Sequence, residues 1–416
     1  MKYYLPDSQD VVDPDFDFAT ERREAGRGSD SDDRFAHEIF SERAYDGVLV
    51  SKAIVDGPCG AGQARYTRLQ RARLARDGVR RSFRAEGHRW GQIEFMGDCG
   101  AFSYIKQAAP PFTVDEVIEF YVRSGFDYGL SVDHVIPEYR PEWDGGGVSA
   151  AIRERQALTV ELAAEFHSAV TGGRLAFFPI GVAQGWSPRS YAYAVAALQK
   201  IGFRYIALGG IVPMTTAAIL RCLEAIQSGR RSDTRIHLLG VMRLVGVARF
   251  AELGVVSFDS TSPLRQAFMA DNGNYYTLEH AYSAIRVPQV EGNVRLRTRI
   301  RTGEVDESAA RAAERRCLRR MAEFAEGACS IAVVLAALAA YGRIHDPGVD
   351  RGRAYREVLE AAPWRACPCE VCRRLGHHVV LFRGAQRNRR RGFHNVWVSY
   401  RRLARAMREG VVGSPT

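Results

Sequence analysis

Lysine is scarce in this 416-residue chain: Lys2, Lys52, Lys106 and Lys200 are its only four, against a Lys+Arg total of 58. Arginine therefore carries the positive charge. Long hydrophobic runs are also missing. The most apolar stretch, residues 328–341 (ACSIAVVLAALAAY), is too short and too alanine-rich to span a bilayer, so it predicts a buried helix and no membrane partner. The opening MKYYLPDSQDVV has no basic region followed by an apolar run; it does not resemble a signal peptide, and a cytoplasmic location is expected. Eight cysteines in that compartment suit thiols or metal ligands better than disulfides.

What is present can fold. With 46% hydrophobic and 25% charged residues the chain can bury a substantial core, which excludes both a disordered protein and a disulfide-stapled miniprotein. The net charge of +10 is local: residues 351–416 hold 15 arginines against four glutamates, or +11, and the first 350 residues sum to −1. Such a patch suits either a polyanionic partner, where neutralised phosphates release counterions, or a solvated arginine surface.

Residues 1–40 are acidic with few apolar anchors and predict an N-terminal extension with a mobile loop at 25–33 (AGRGSDSDD). Short apolar runs then alternate with segments of helical period. Seven strand candidates are DGVLVS (46–51), QIEFMGD (92–98), YGLSVD (128–133), LAFFPIGV (175–182), YIALGG (205–210), IHLLGV (236–241) and VVSFDS (255–260). Helices are predicted over 114–124, opened by Thr113 with Glu116 three residues on, and over 149–170, 188–201, 215–227 and 245–253.

One helix per strand implies parallel pairing, so an α/β fold, a (β/α)8 TIM barrel over 41–305, is expected, with one strand unlocated and a doubly wound sheet as the alternative. A long helical region, roughly 307–344, follows. Residues 306–416 as a whole are expected to form a helical, metal-stapled, arginine-rich C-terminal lobe.

Polar residues fall where the strands end: Asp98, Asp133, Gln184, Gly209 with Gly210, and Asp259. The C-terminal strand ends of a (β/α) barrel form one rim, so these distant positions converge there, although any single Asp after a strand also fits a turn or helix cap. Cys367, Cys369 and Cys372 (CPCEVC) with a histidine, either His377 or His378 or the more distant His394, suit a closed tetrahedral zinc site. A full set of four protein ligands leaves no position for water. This excludes a zinc hydrolase and makes the metal structural. Arg387, Arg389, Arg390 and Arg391 (RNRRR, 387–391) with Arg401 and Arg402 are the candidate phosphate contacts. Phe393, Trp397 and Tyr400 have helical spacing, which favours core over base stacking.

The ordered set GDCGAFSY (97–104), SVDHVIP (131–137), GVAQGW (181–186), IALGGIVP (206–213), VVSFDSTSPLRQAF (255–268), CPCEVC and FHN (393–395) resembles the tRNA-guanine transglycosylase superfamily over roughly residues 45–400. The resemblance implies a zinc-bearing (β/α) barrel that exchanges guanine for a deazaguanine. It implies that Asp259 is the nucleophile toward the sugar, that Asp98 handles protons on the departing and incoming bases, and that Asp133, Gln184 and the backbone at Gly209 and Gly210 read the base. It also implies that His394 completes the zinc site.

Two departures bear on the substrate. The two glycines are followed by IVPMTT, without the acid that holds a cationic aminomethyl arm, so 7-cyano-7-deazaguanine is the expected base. GAFS after Asp98, the N-terminal segment and YDGVLVSKAIVDG resemble the DNA-acting branch, which implies DNA as partner within a modification and restriction system, with an ATP-driven strand opener as a possible accessory. The alternatives are tRNA as substrate, or a catalytically silent barrel that only binds nucleic acid.

Overall fold

The computed structural model describes residues 1–26, 32–57 and 64–412. The loop expected at 25–33 falls largely on residues 27–31, outside the described residues. Eight parallel strands close a barrel in chain order: β1 (Lys2–Pro6), β2 (Gly47–Ser51), β3 (Glu94–Asp98), β4 (Tyr128–Leu130), β5 (Phe178–Ala183), β6 (Tyr205–Leu208), β7 (Arg235–Leu238) and β8 (Val255–Asp259). The barrel is filled by side chains, with Tyr4, Leu49, Met96, Leu130, Ile180, Val182, Tyr205 and Ala207 forming its interior cluster.

The unlocated strand is β1, inside the segment read from sequence as an extension. It pairs with β2 through Tyr4↔Gly47 and with β8 through Tyr4↔Asp259, so it closes the barrel beside the last strand. A barrel strand is covered on both faces and reads as a short continuous apolar run. Tyr3, Tyr4 and Leu5 are that run, and all three are buried.

The helices follow their caps. Val114–Ser124 carries a Thr113/Glu116 capping box, Ala150–Gly172 starts at Ser149, Pro188–Ile201 at Ser187, and Thr216–Gln227 at Thr215. Helix Arg68–Ser82 was not foreseen, although Thr67 and Gln70 form a capping box that announces it.

The chain divides into two compact units. The first comprises Met1–Gln9, Tyr45–Thr261 and Arg402–Thr416, and holds the barrel; the second comprises Asp10–Ala44 and Ser262–Arg401. The first forty residues are thus shared between the units rather than standing apart. In the second unit the expected long helix is two, Glu307–Ala325 and Ile331–His345, with Gly327 at φ 81° in the break. The latter helix buries one face, Val334, Ala337, Leu338 and Tyr341. No helix among the described residues is long and apolar enough to cross a membrane. Residues 384–412 form one long helix, Gly384–Val412.

Candidate active site and metal centre

The C-terminal strand ends gather the predicted polar residues. Asp98 ends β3, Asp259 ends β8, and Asp133 and Gln184 lie just beyond β4 and β5. Asp98 accepts a hydrogen bond from the Ser51 hydroxyl at the end of β2. Burial pushes its carboxyl above the usual range and the charge of Asp259 adds to this, while Ser51 and the Gly100 N–H oppose it. Asp133 is buried; Gln184 Nε2 donates to its Oδ2 at 2.6 Å and the Cys99 thiol to its Oδ1 at 3.3 Å. Burial, then the nearby Asp98 charge, raises Asp133 to about 7. Three carboxylates therefore share one electrostatic environment, with Asp98 coupled to both others.

The two glycines make room for Gln184. A Cβ on Gly209 would sit 2.2 Å from Gln184 Nε2, and one on Gly210, at φ 74°, would sit 2.8 Å from Gln184 Oε1. Gln184 Oε1 in turn accepts the Ile136 N–H at 3.2 Å, which orients its amide toward Asp133. The Gly209 N–H is engaged with Ala183 O at 2.9 Å, and its carbonyl accepts the Tyr191 hydroxyl at 2.7 Å. Gly209 thus shapes the site through space rather than through a free N–H.

Sequence reasoning missed Ser51, Cys99 and His237. His237 is fully buried on β7, with Nε2 3.1 Å from Asp259 Oδ1. A histidine in the middle of the apolar run IHLLGV was the available signal.

Cys367, Cys369, Cys372 and His394 form one group that could hold a metal ion, their ligand atoms within 4.8 Å of one another. His394 Nδ1 lies 3.7, 3.4 and 3.4 Å from the three sulfurs, edge lengths that suit a tetrahedron with bonds of about 2.0–2.3 Å. Nε2 of the same ring donates to Tyr276 O at 2.6 Å, which leaves Nδ1 to face the sulfurs as an acceptor. Tyr275 stacks on the ring at 4.3 Å, and its hydroxyl lies 3.2 Å from Cys372 Sγ. His377 and His378 lie outside the group; they pack on each other, and His378 packs on Phe18.

Three of the expected phosphate contacts are covered. Arg387, Arg390 and Arg391 are buried, because their spacing places them on an inward face of helix Gly384–Val412. Arg387 binds Glu21 and Phe18 O; Arg390 binds Gln386 and Asp13 O; Arg391 binds the carbonyls of Val379, Leu381 and Ala267. Arg389 is half-buried against Asp10 and Val11 O, Arg401 lies 3.6 Å over the Trp397 ring and pairs with Glu42, and Arg402 is half-buried. Arg387, Arg389, Arg390, Arg391 and Arg401 therefore bind the protein itself. Phe393 and Trp397 are core residues.

The chain is thus an eight-stranded (β/α) barrel with three carboxylates at its strand ends and a Cys3His group that could hold a metal ion. No protein-family model matches the chain. Over 409 residues, 97% of this chain and 96% of the relative, it is 46% identical to a DNA-guanine transglycosylase of Salmonella montevideo. Over 194 residues, 44% of this chain and 30% of the relative, it is 26% identical to a tRNA-guanine(15) transglycosylase of Thermococcus onnurineus (strain NA1). The chain belongs to the DNA-guanine transglycosylase family.

Proposed function

We propose that this enzyme exchanges guanine in DNA for 7-cyano-7-deazaguanine by two displacements at one sugar carbon, within a modification and restriction system. The observation that carries the reading is the rim itself, where Asp259 has Oδ1 held by the Gly240 N–H at 2.8 Å and by His237, beside the carboxyls of Asp98 and Asp133. The target nucleotide first leaves the base stack. A lone pair of Asp259 then forms a bond to C1′ as the C1′–N9 bond breaks, and its electron pair departs with guanine. Asp98, its carboxyl raised by burial, donates the proton that neutralises the leaving base. The incoming base returns a proton to Asp98 and displaces Asp259, so configuration is retained.

Asp133 reads the two N–H donors of a guanine edge, as an ionised acceptor. Its value of about 7 lies above the unfolded range, so its protonated form contributes stability that is present at low pH and lost as pH rises through about 7. A bound base, donating two hydrogen bonds, favours the ionised form instead. The kcat/KM for free base is therefore expected to fall as pH drops below about 7, approaching ~10-fold per unit, and Asp133→Asn is expected to remove that step. Steady-state kinetics between pH 5.5 and 8.5 check this; a wild-type profile flat across that range contradicts the role.

DNA is favoured over tRNA by the family, and 7-cyano-7-deazaguanine by the apolar Ile211–Val212–Pro213 that follows the glycines without an acid. The backbone contact moves to the barrel. On helix Arg68–Ser82 the ion pairs involve Arg76, Arg80 and Arg81, whereas Arg65 and Arg68 are exposed at its start. That start is tied to the catalytic rim: Tyr66 donates to Asp7 at 2.8 Å and Gln70 to Gln9 at 2.9 Å, both just past β1. Exchange of radiolabelled guanine into duplex DNA, bubbled DNA and tRNA tests the reading, with and without a strand-opening ATPase. Label entering only tRNA would reject it.

The metal in the Cys3His group is proposed to be zinc, in a structural role, since the soft sulfur donors and closed set suit it. One zinc per chain is expected by elemental analysis. Cys369→Ser is expected to lose it and to lower the melting temperature on the order of 10 °C. A variant that melts with the wild type contradicts the structural role.

A further inference from the structure

Asp259 stands at the end of a buried hydrogen-bond chain that the exchange reaction as described does not use. Tyr205 on β6, Ser257 on β8 and His237 on β7 are all buried inside the barrel. The Tyr205 hydroxyl bonds Ser257 Oγ, Ser257 Oγ lies 2.6 Å from His237 Nδ1, and His237 Nε2 lies 3.1 Å from Asp259 Oδ1.

The donor count fixes the direction. As a nucleophilic carboxylate Asp259 can only accept, so the ring proton is on Nε2; Nδ1 then accepts the Ser257 proton, and Ser257 Oγ accepts that of Tyr205. The strand register serves this arrangement. β8 carries one extra residue, Val256, between the pairs Ile236↔Val255 and His237↔Ser257, and this bulge sets the histidine directly beside the serine. Ser257 and Asp259, two apart on one strand, then face the same interior.

We infer that Tyr205, Ser257 and His237 form a positioning relay that holds Asp259 by Oδ1 and leaves Oδ2 as the oxygen that attacks the sugar. This rests on the reading of Asp259 as nucleophile. Oδ1 takes two donors, from His237 and from the Gly240 N–H, so its lone pairs are engaged, while Oδ2 has no hydrogen bond among the described residues. As Oδ2 bonds to C1′ the carboxylate loses its charge, and as the second displacement breaks that bond the charge returns. A fixed donor at Oδ1 favours the return, so His237 bears most on release of the intermediate and on the aim of the attack. Each member further along the chain acts only through its neighbour, and its effect shrinks with distance.

The test is single-turnover formation and decay of the trapped protein–DNA adduct on bubbled DNA, with DNA affinity and melting temperature measured on the same proteins. His237→Ala is expected to lower kcat about 10²-fold, with KM for guanine and DNA affinity within about 2-fold of wild type. His237→Gln, which keeps an N–H near the Nε2 position, is expected to recover about 10-fold of that loss, and Ser257→Ala and Tyr205→Phe to show progressively smaller losses. Normal adduct kinetics in His237→Ala, while Asp259→Ala forms none, overturns the relay and leaves the nucleophile standing. An adduct in Asp259→Ala overturns the nucleophile and the relay with it. Equal losses in His237→Gln and His237→Ala that track lowered melting temperature mark a purely structural histidine, which also overturns the relay. Should His237→Ala fail to fold, His237→Gln and Ser257→Ala decide on the same criteria.

Discussion

Replacing Asp259 by alanine is expected to abolish guanine exchange, by about 10⁴-fold or more, while the chain still folds and binds DNA. The magnitude follows from the loss of a covalent route: without the carboxylate no bond to C1′ replaces the one that breaks, and the remaining rim groups stabilise charge only weakly. The fold should survive because Asp259 receives the Gly240 N–H and His237 at its Oδ1 and, among the described residues, has no ion pair beyond that histidine contact. Radiolabel exchange and melting curves measured together separate the two. Residual exchange within 10-fold of wild type would mean that another group attacks the sugar.

The second large effect concerns β1. Removing residues 1–8 is expected to leave no cooperatively folded barrel. β2 and β8 would each face an open edge where Tyr4, Leu5 and Pro6 pair with one and Lys2, Tyr3 and Tyr4 with the other, so buried backbone groups would lose their partners. Tyr3 also stacks on Phe258 at 5.4 Å and donates to Ser260 O at 2.8 Å, so the same strand supports the segment that presents Asp259. The milder Tyr4→Ala removes a fully buried ring from the barrel interior, at a cost of about 3–5 kcal/mol, a large share of a typical domain's stability. Circular-dichroism melting checks both; a truncated chain that melts within a few degrees of the full one contradicts the role of β1.

Seven of the eight strands were legible because apolar runs closed by a polar residue or glycine recur with one capped helix between them. The first was not, because KYYLP sits in an acidic stretch, apart from the alternation of strand and capped helix that marks the others. Thr113 with Glu116 gave one helix start correctly. The same chemistry at Thr67 with Gln70 passed unnoticed, since the arginine-dense run behind it has little apolar period and Gly78 at φ 74° interrupts it. The compact CPCEVC spacing made the metal group visible, and the structure joins His394 to it because helix Gly384–Val412 brings that side chain to the sulfurs.

The arginine run misled for a definite physical reason. Charge along a sequence does not say which face of a helix is covered. Arg383 and Arg387 meet Glu21, which burial would raise but which the Arg383 and Arg387 guanidinium groups hold down at about 2. Glu21 lies in the stretch read from sequence as an extension, so the pairing was invisible without coordinates. His237 was missed for the converse reason: a lone histidine in an apolar run marks a position, but its role shows only once its neighbours on the adjoining strand, Ser257 and Asp259, are known.

The most direct measurement is to trap the protein on bubbled DNA during exchange, digest the adduct and map the modified peptide by mass spectrometry. A deoxyribose-linked fragment on Asp259, formed with DNA and discharged by added base, is the predicted result. A cross-link on any other residue, or one that forms only with tRNA, contradicts the account.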